Sequence, residues 1–342
     1  MVDKRMVVWS SLVSSRPVFA AVVATAAAVV TVALIFYKKK PKIFELVGEV
    51  SALYCYPIKS CAGITNNIAF CTKLGIRMSN AMDRHFLIIR ENGDFITQRQ
   101  IAKMAHVKTS IKNQELQLEA EGMPELRVPL YPELDEHEII PCRIWKNNVK
   151  AQVCGDDAAA WLSTYLGEEG LRLVVYMPGV TARQSPTTNA LSSDQVAFPD
   201  ESPYHLTTEE SLADLNKRIE HKSDGDITIE NFRPNIVVKG TKEPWDEDTW
   251  AELKIGKDVR LRVLEPCGRC TLTTVDPDKL EKRADGEPLK TLRSFRLFPE
   301  VNATAPLFAV YAGLDKGGRI KIGDPVYAVR GDGLGVKISP GI

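Results

Sequence analysis

The chain has 342 residues, with 44 Lys and Arg against 44 Asp and Glu, so its formal charge is zero. No global attraction to nucleic acid follows, and no basic stripe stands out in the body of the sequence. The length suits about two domains. Seven cysteines, at 55, 61, 71, 142, 154, 267 and 270, are odd in number and scattered. That argues against a disulfide framework and for free thiols in a reducing compartment.

Residues 1–16 form a short tail. From Val18 to Tyr37 there are 20 positions without a charge. At ~1.5 Å per residue they span ~30 Å, about one hydrocarbon core. The run passes straight into Lys38-Lys-Lys-Pro-Lys42, unlike a cleaved signal peptide. Upstream stand Lys4, Arg5 and Arg16 against Asp3; downstream stand four lysines with no acid before Glu45. The more positive flank tends to stay cytosolic. The sequence therefore predicts a single-pass anchor at 17–37, a basic linker at 38–43 and a body facing the cytosol.

Leu46 to Tyr56 reads as a strand ended by Pro57, with Lys59-Ser-Cys-Ala-Gly63 as a loop. His85–Arg90 and Phe95–Gln98 flank Asn92-Gly93, a hairpin signal. Cys142–Trp145 and Val149–Val153 suggest another, and Ala158–Leu166 a short helix. Residues 178–204 are rich in Pro, Ser, Thr and Asp without a period; such long loops are often functional. Thr207-Thr-Glu-Glu210 has capping-box spacing and opens a helix to about Glu220. Strands are expected at 236–239, 259–264, 307–311 and 326–329. Many short strands with few helices predict an α+β, β-rich, barrel-like body with peripheral helices.

Chemistry concentrates at Cys267-Gly-Arg-Cys270. As half a zinc site it lacks a second pair. As a thioredoxin-like pair it lacks a following helix, because Thr271, Thr273, Thr274 and Val275 are β-type residues. One thiolate ligand, with Arg269 favouring the ionised sulfur, fits better. Two buried, hydrophobe-like cysteines are the plain alternative. Lys59-Ser60 offers an ammonium, a hydroxyl and backbone N–H groups suited to phosphate, although a solvated loop explains it equally. Asn231-Phe-Arg-Pro-Asn235 holds a guanidinium and an amide on a stiffened segment, or is simply a turn. Asp83-Arg84 is weak by itself, Asp200 reads as a loop acid and Tyr311 as a core residue. No dinucleotide fingerprint, Walker loop, nucleophile elbow or zincin motif occurs.

Taken together, Tyr56-Pro-Ile-Lys-Ser-Cys-Ala-Gly63, Asp83-Arg84, Asn231-Phe-Arg-Pro-Asn235, Cys267–Cys270 with Thr273-Thr-Val-Asp-Pro-Asp278, and Gly323-Asp-Pro-Val-Tyr327 resemble the MOSC-domain molybdenum enzymes. With its anchor, the chain is similar to the mitochondrial amidoxime-reducing components. The likeness runs from about residue 44 to 330. It implies a β-rich MOSC N-terminal region at 44–177 and a MOSC β-barrel domain at 178–335, with Mo-molybdopterin between them.

The family pattern implies that Cys270 ligates molybdenum. It also implies that Lys59, Ser60, Arg84, Arg233, Asn235, Gly268, Arg269 and Tyr311 contact the cofactor, and that Asp200 lies near the metal as a proton relay. The family usually has Ser where this chain has Gly268, so a hydroxyl is lost while a backbone N–H remains. The implied activity is two-electron reduction of N–O bonds in amidoximes and hydroxylamines. Electrons would come from cytochrome b5 and its NADH-dependent reductase, at the outer mitochondrial membrane. Rival readings are a non-catalytic, membrane-tethered molybdopterin carrier or scaffold, and a cofactor sulfur-transfer protein. The sulfurases that carry a MOSC domain have a long pyridoxal-phosphate domain upstream, for which these residues offer no room.

Overall fold

The strand expected from Leu46 forms as β1, Glu45–Cys55, and it closes a barrel built mostly from the other end of the chain. The computed structural model describes residues 42–181, 183–220 and 225–331. The expected tail and the anchor at 17–37 lie outside the described residues. Among the described residues, no helix is long and apolar enough to cross a membrane.

The other staves are β2 (Tyr204–Thr208), β3 (Ile236–Lys239), β4 (Trp250–Ile255), β5 (Val259–Gly268), β6 (Leu307–Lys316) and β7 (Pro325–Arg330). Their order around the ring is β3-β2-β6-β5-β4-β7-β1, and β1 pairs back onto β3. Only β2 and β3 run parallel within this ring. Closure removes the open edges that would otherwise invite pairing with other chains. Alternation sends Val50, Leu53, Leu253, Ile255, Leu261, Val310 and Ala312 into one buried cluster, each worth roughly 1.5–3 kcal/mol for the larger side chains. Gly48 permits the β1–β3 approach, since a Cβ there would sit 2.3 Å from the Lys239 carbonyl oxygen.

The remaining N-terminal residues form separate small sheets. Phe86–Ile89, Arg172–Val175, Asn147–Val153 and Ile139–Ile144 make one. Helix α1 (Asp156–Leu166) buries Ala158, Trp161, Leu162 and Leu166 in the apolar cluster shared with Phe86, Ile88, Leu173 and Val175. The second expected hairpin forms, with Cys142 opposite Val149. The first forms only in part. Phe95 makes an isolated bridge to Ile89 and Ile96 N–H donates to Ile88 O, while Phe86 on the same edge pairs with Ile58.

Helix α2 spans Glu209–Arg218 and is capped by Thr208, whose hydroxyl accepts from Ser211 N–H. The cap falls one residue later than the capping-box reading, because Thr207 is held in register with Val237. Glu210 is drawn away to accept from Gly240 N–H and Thr241 Oγ1–H at 2.7 and 2.9 Å. A short helix α3, Leu289–Phe295, was not anticipated.

Candidate active site

Where β1 leaves the barrel, its continuation is laced to residues 83–86. Asp83 accepts from Tyr56 N–H at 2.8 Å, Arg84 N–H donates to Tyr56 O at 2.7 Å, and Lys59 N–H to Phe86 O at 3.0 Å. Ser60, Arg84 and Arg233 all adopt left-handed backbone angles, with φ of 66°, 48° and 56°. Such strain in non-glycine residues concentrates at functional sites. On the opposite wall, β5 carries irregularities between Val263 and Glu265 and between Pro266 and Gly268. Bulges of this kind re-aim side chains beside active sites.

These elements enclose a cleft with about 750 Å³ of empty space, its open mouth included. Lys59, Ser60, Arg84, Asp200, Arg233, Asn235, Gly268, Arg269, Cys270 and Tyr311 all line it. Ten residues drawn from six separated stretches of sequence therefore meet in one place. Thr97, Arg99, Glu201, His205, Phe232 and Cys267 join them.

The charges are unevenly matched. Arg84 pairs with buried Asp83 at 2.5 Å. Lys59 donates to Phe198 O at 2.9 Å and to Asp200 at 2.6 Å. Burial, partly offset by Asp200, lowers the Lys59 pKa to about 8. Burial raises that of Asp200, but Lys59, Trp145 and Arg84 outweigh it and hold the carboxyl below the usual range. Arg183 ties down the same loop through the carbonyls of Pro199 and Asp200. Arg233 donates to Cys61 O at 2.7 Å and lies 4.1 Å from the centre of the Tyr56 ring. Burial brings its pKa down to about 10. Neither Arg233 nor Arg269 has a carboxylate at ion-pair distance among the described residues.

The two cysteines of the pair differ. Cys267 is buried and Cys270 exposed. Arg269 donates to Cys267, not to Cys270. Cys267 lies within β5, whereas Arg269 and Cys270 follow the strand and precede a single 3-10 turn, Thr271–Thr274. Arg99 approaches Cys270 instead, with Nη1 at 3.6 Å from Sγ. Arg99 lies over the Trp145 ring, and Trp145 Nε1–H donates to Asp200 at 2.7 Å. Sequence reasoning missed Arg99, Trp145 and His205. An exposed Trp at a hairpin turn was a signal for the second; nothing local marked the others.

Gly268 also has a local reason. A Cβ there would meet Asn302 Nδ2 at 2.8 Å and Ala305 Cβ at 3.2 Å. Asn302 is fixed by accepting from Thr304 and Ala305 N–H groups, so its amide occupies the room a serine side chain would need.

A family model of the MOSC N-terminal beta barrel domain matches residues 47–169, and one of the MOSC domain matches residues 193–327. Fold and matches together define the class as MOSC-domain proteins. Mitochondrial amidoxime reducing component 2 of Rattus norvegicus is 40% identical over 299 residues, covering 84% of this chain and 86% of that protein. The Homo sapiens component 2 is 38% identical, covering 85% and 86%. The Homo sapiens component 1 is 35% identical, covering 92% and 95%. The chain belongs to the family of the mitochondrial amidoxime-reducing components.

Proposed function

We propose that the chain is a molybdenum-cofactor-dependent reductase of N-hydroxylated compounds, amidoximes and hydroxylamines among them. One observation carries the reading. An exposed thiol, Cys270, stands at a cleft whose guanidiniums at 233 and 269 have no carboxylate partners among the described residues. A buried unpaired cation is costly, so such a wall is suited to an anionic ligand. Arg269 Nε is buried with no hydrogen-bond partner, an unused donor within the same wall. The residues present therefore fit molybdopterin, an anion whose metal takes a thiolate.

When bound, the cofactor supplies two-electron oxygen-atom chemistry on the N–O bond. The protein's part is to hold, orient and deliver a proton. Cys270 would offer the metal ligand, with Arg99 as an N–H donor towards its sulfur. Arg84, Arg233 and Arg269 would supply positive charge to the anionic cofactor, and Lys59, Ser60, Asn235, Gly268 and Tyr311 line the same cleft and would contact it. Asp200 stays ionised at neutral pH, so the proton of its pair rests on Lys59 Nζ, the group closer to neutrality. Lys59 would therefore be the proton donor of the pair, with Asp200 orienting it as its acceptor.

Residues 17–37 tether the body to the outer mitochondrial membrane by a single pass, with the body in the cytosol. The uncharged run and its lysine flank support this, as do relatives named mitochondrial. Cytochrome b5 and its NADH-dependent reductase are the electron donors, and shared anchoring raises their effective concentration.

The test is NADH-driven conversion of benzamidoxime to benzamidine with both donors reconstituted. Cys270→Ala abolishes turnover and Cys267→Ala largely spares it. Equal loss in both overturns Cys270 as the ligand. A cofactor-loaded protein without turnover points to a carrier or a sulfur-transfer protein instead.

A further inference from the structure

His205 belongs to none of the motifs that mark the cleft, yet it touches two of them. It sits in β2, 5% exposed, and lines the cavity. Its backbone N–H donates to Asn235 Oδ1 at 3.1 Å, and its carbonyl accepts from Asn235 N–H at 2.8 Å. Nε2 lies 3.2 Å from Arg269 Nη1, and Nδ1 lies 3.4 Å from the Arg233 carbonyl oxygen.

Donor and acceptor chemistry fixes the ring's state. A guanidinium has only donors and a carbonyl only accepts. Nε2 must therefore be the bare nitrogen and Nδ1 must carry the hydrogen. Burial, with Arg269 and Arg84 nearby, keeps this imidazole neutral well below its ordinary pKa. The other partners of Arg269 are also neutral: the Cys267 sulfur, and the Phe232 carbonyl at 3.0 Å. The guanidinium is thus steered by three acceptors that leave its charge intact.

We propose that His205 is a positioning residue of the anion cradle. As the Nδ1–H tautomer it aims Arg269 and fixes the Arg233 backbone without neutralising either cation. This rests on the cofactor reading above and gives Cys267 a role as acceptor rather than redox partner. A carboxylate in place of His205 would hold Arg269 just as firmly, but would cancel the charge that the cofactor needs.

The experiment measures molybdenum and pterin per chain in purified full-length protein, together with the thermal midpoint of each variant. His205→Leu loses cofactor about tenfold or more, the range for residues that orient a metal site from outside. His205→Gln, with an acceptor for Arg269 and a donor for the Arg233 carbonyl, recovers most of it. His205→Glu melts at or above the wild-type cofactor-free midpoint, yet holds no more cofactor than the Leu variant. Wild-type loading in His205→Leu or His205→Glu overturns the proposal, as does a Gln variant no better than Leu. Wild-type protein that holds no molybdopterin refutes the proposed function itself, a distinct outcome.

Discussion

Two regions of this molecule bury charge in opposite ways. Under α2, Glu247 is fully buried and accepts from Ser211 Oγ–H at 2.8 Å and Thr208 Oγ1–H at 3.0 Å. Beside it, Asp248 pairs with Arg296 at 2.7 Å, each about 3% exposed. Asp248 and Arg296 answer each other within the fold, and Glu247 is raised towards neutrality by burial and by Asp248. In the cleft, Arg233 and Arg269 are held by carbonyls, a sulfur and an imidazole, none of which carries a negative charge. The difference separates charge kept for structure from charge kept for a ligand.

The comparison breaks most sharply at the arginines. Arg296→Met leaves Asp248 buried and unpaired, and is expected to cost about 3–5 kcal/mol of stability. Arg269→Met removes a cation that has no carboxylate partner among the described residues, so the cofactor-free protein melts no lower than wild type while cofactor binding falls. Denaturant or thermal unfolding of both variants reads the contrast, and equal destabilisation would erase it.

Glu247 gives the next effect. Burial, reinforced by Asp248, raises its pKa from an ordinary 4.5 to about 7. A carboxyl raised in this way destabilises the fold above the folded value and not below the unfolded one. Glu247→Gln should therefore gain about 3 kcal/mol above pH 7, with the gain fading towards pH 4.5. A flat difference between variant and wild type across that window contradicts the assignment. The smallest effect is at Gly268. Gly268→Ser must displace the Asn302 amide and should cost about 1 kcal/mol, the low end for crowding a packed site. A melting curve checks it; an unchanged midpoint means the Asn302 side chain swings away freely.

Much of the cleft was legible in the sequence because its residues lie in short polar runs at strand ends. Lys59-Ser60 follows β1, Arg233 and Asn235 precede or open β3, and the cysteine pair ends β5. What was not legible depends on contacts distant in sequence. Arg99 reaches Cys270 across 171 positions, from a segment whose expected hairpin forms only in part. His205 hides within Tyr204–Thr208, all buried and otherwise ordinary for a strand. Which sulfur Arg269 would face was not legible either, since both cysteines lie within two residues of it; the folded chain turns it to Cys267. The barrel was expected as a class, but not that β1 would serve as one of its staves. Closure of that ring depends on pairing Glu49 with Lys239, which no local pattern announces.

The central claim is that this cleft holds a molybdenum–pterin group through the sulfur of residue 270. Molybdenum K-edge absorption on the loaded full-length protein, wild type against Cys270→Ala, counts the sulfur neighbours of the metal directly. The account predicts one fewer in the variant; an unchanged count, or wild-type protein free of molybdenum, contradicts it.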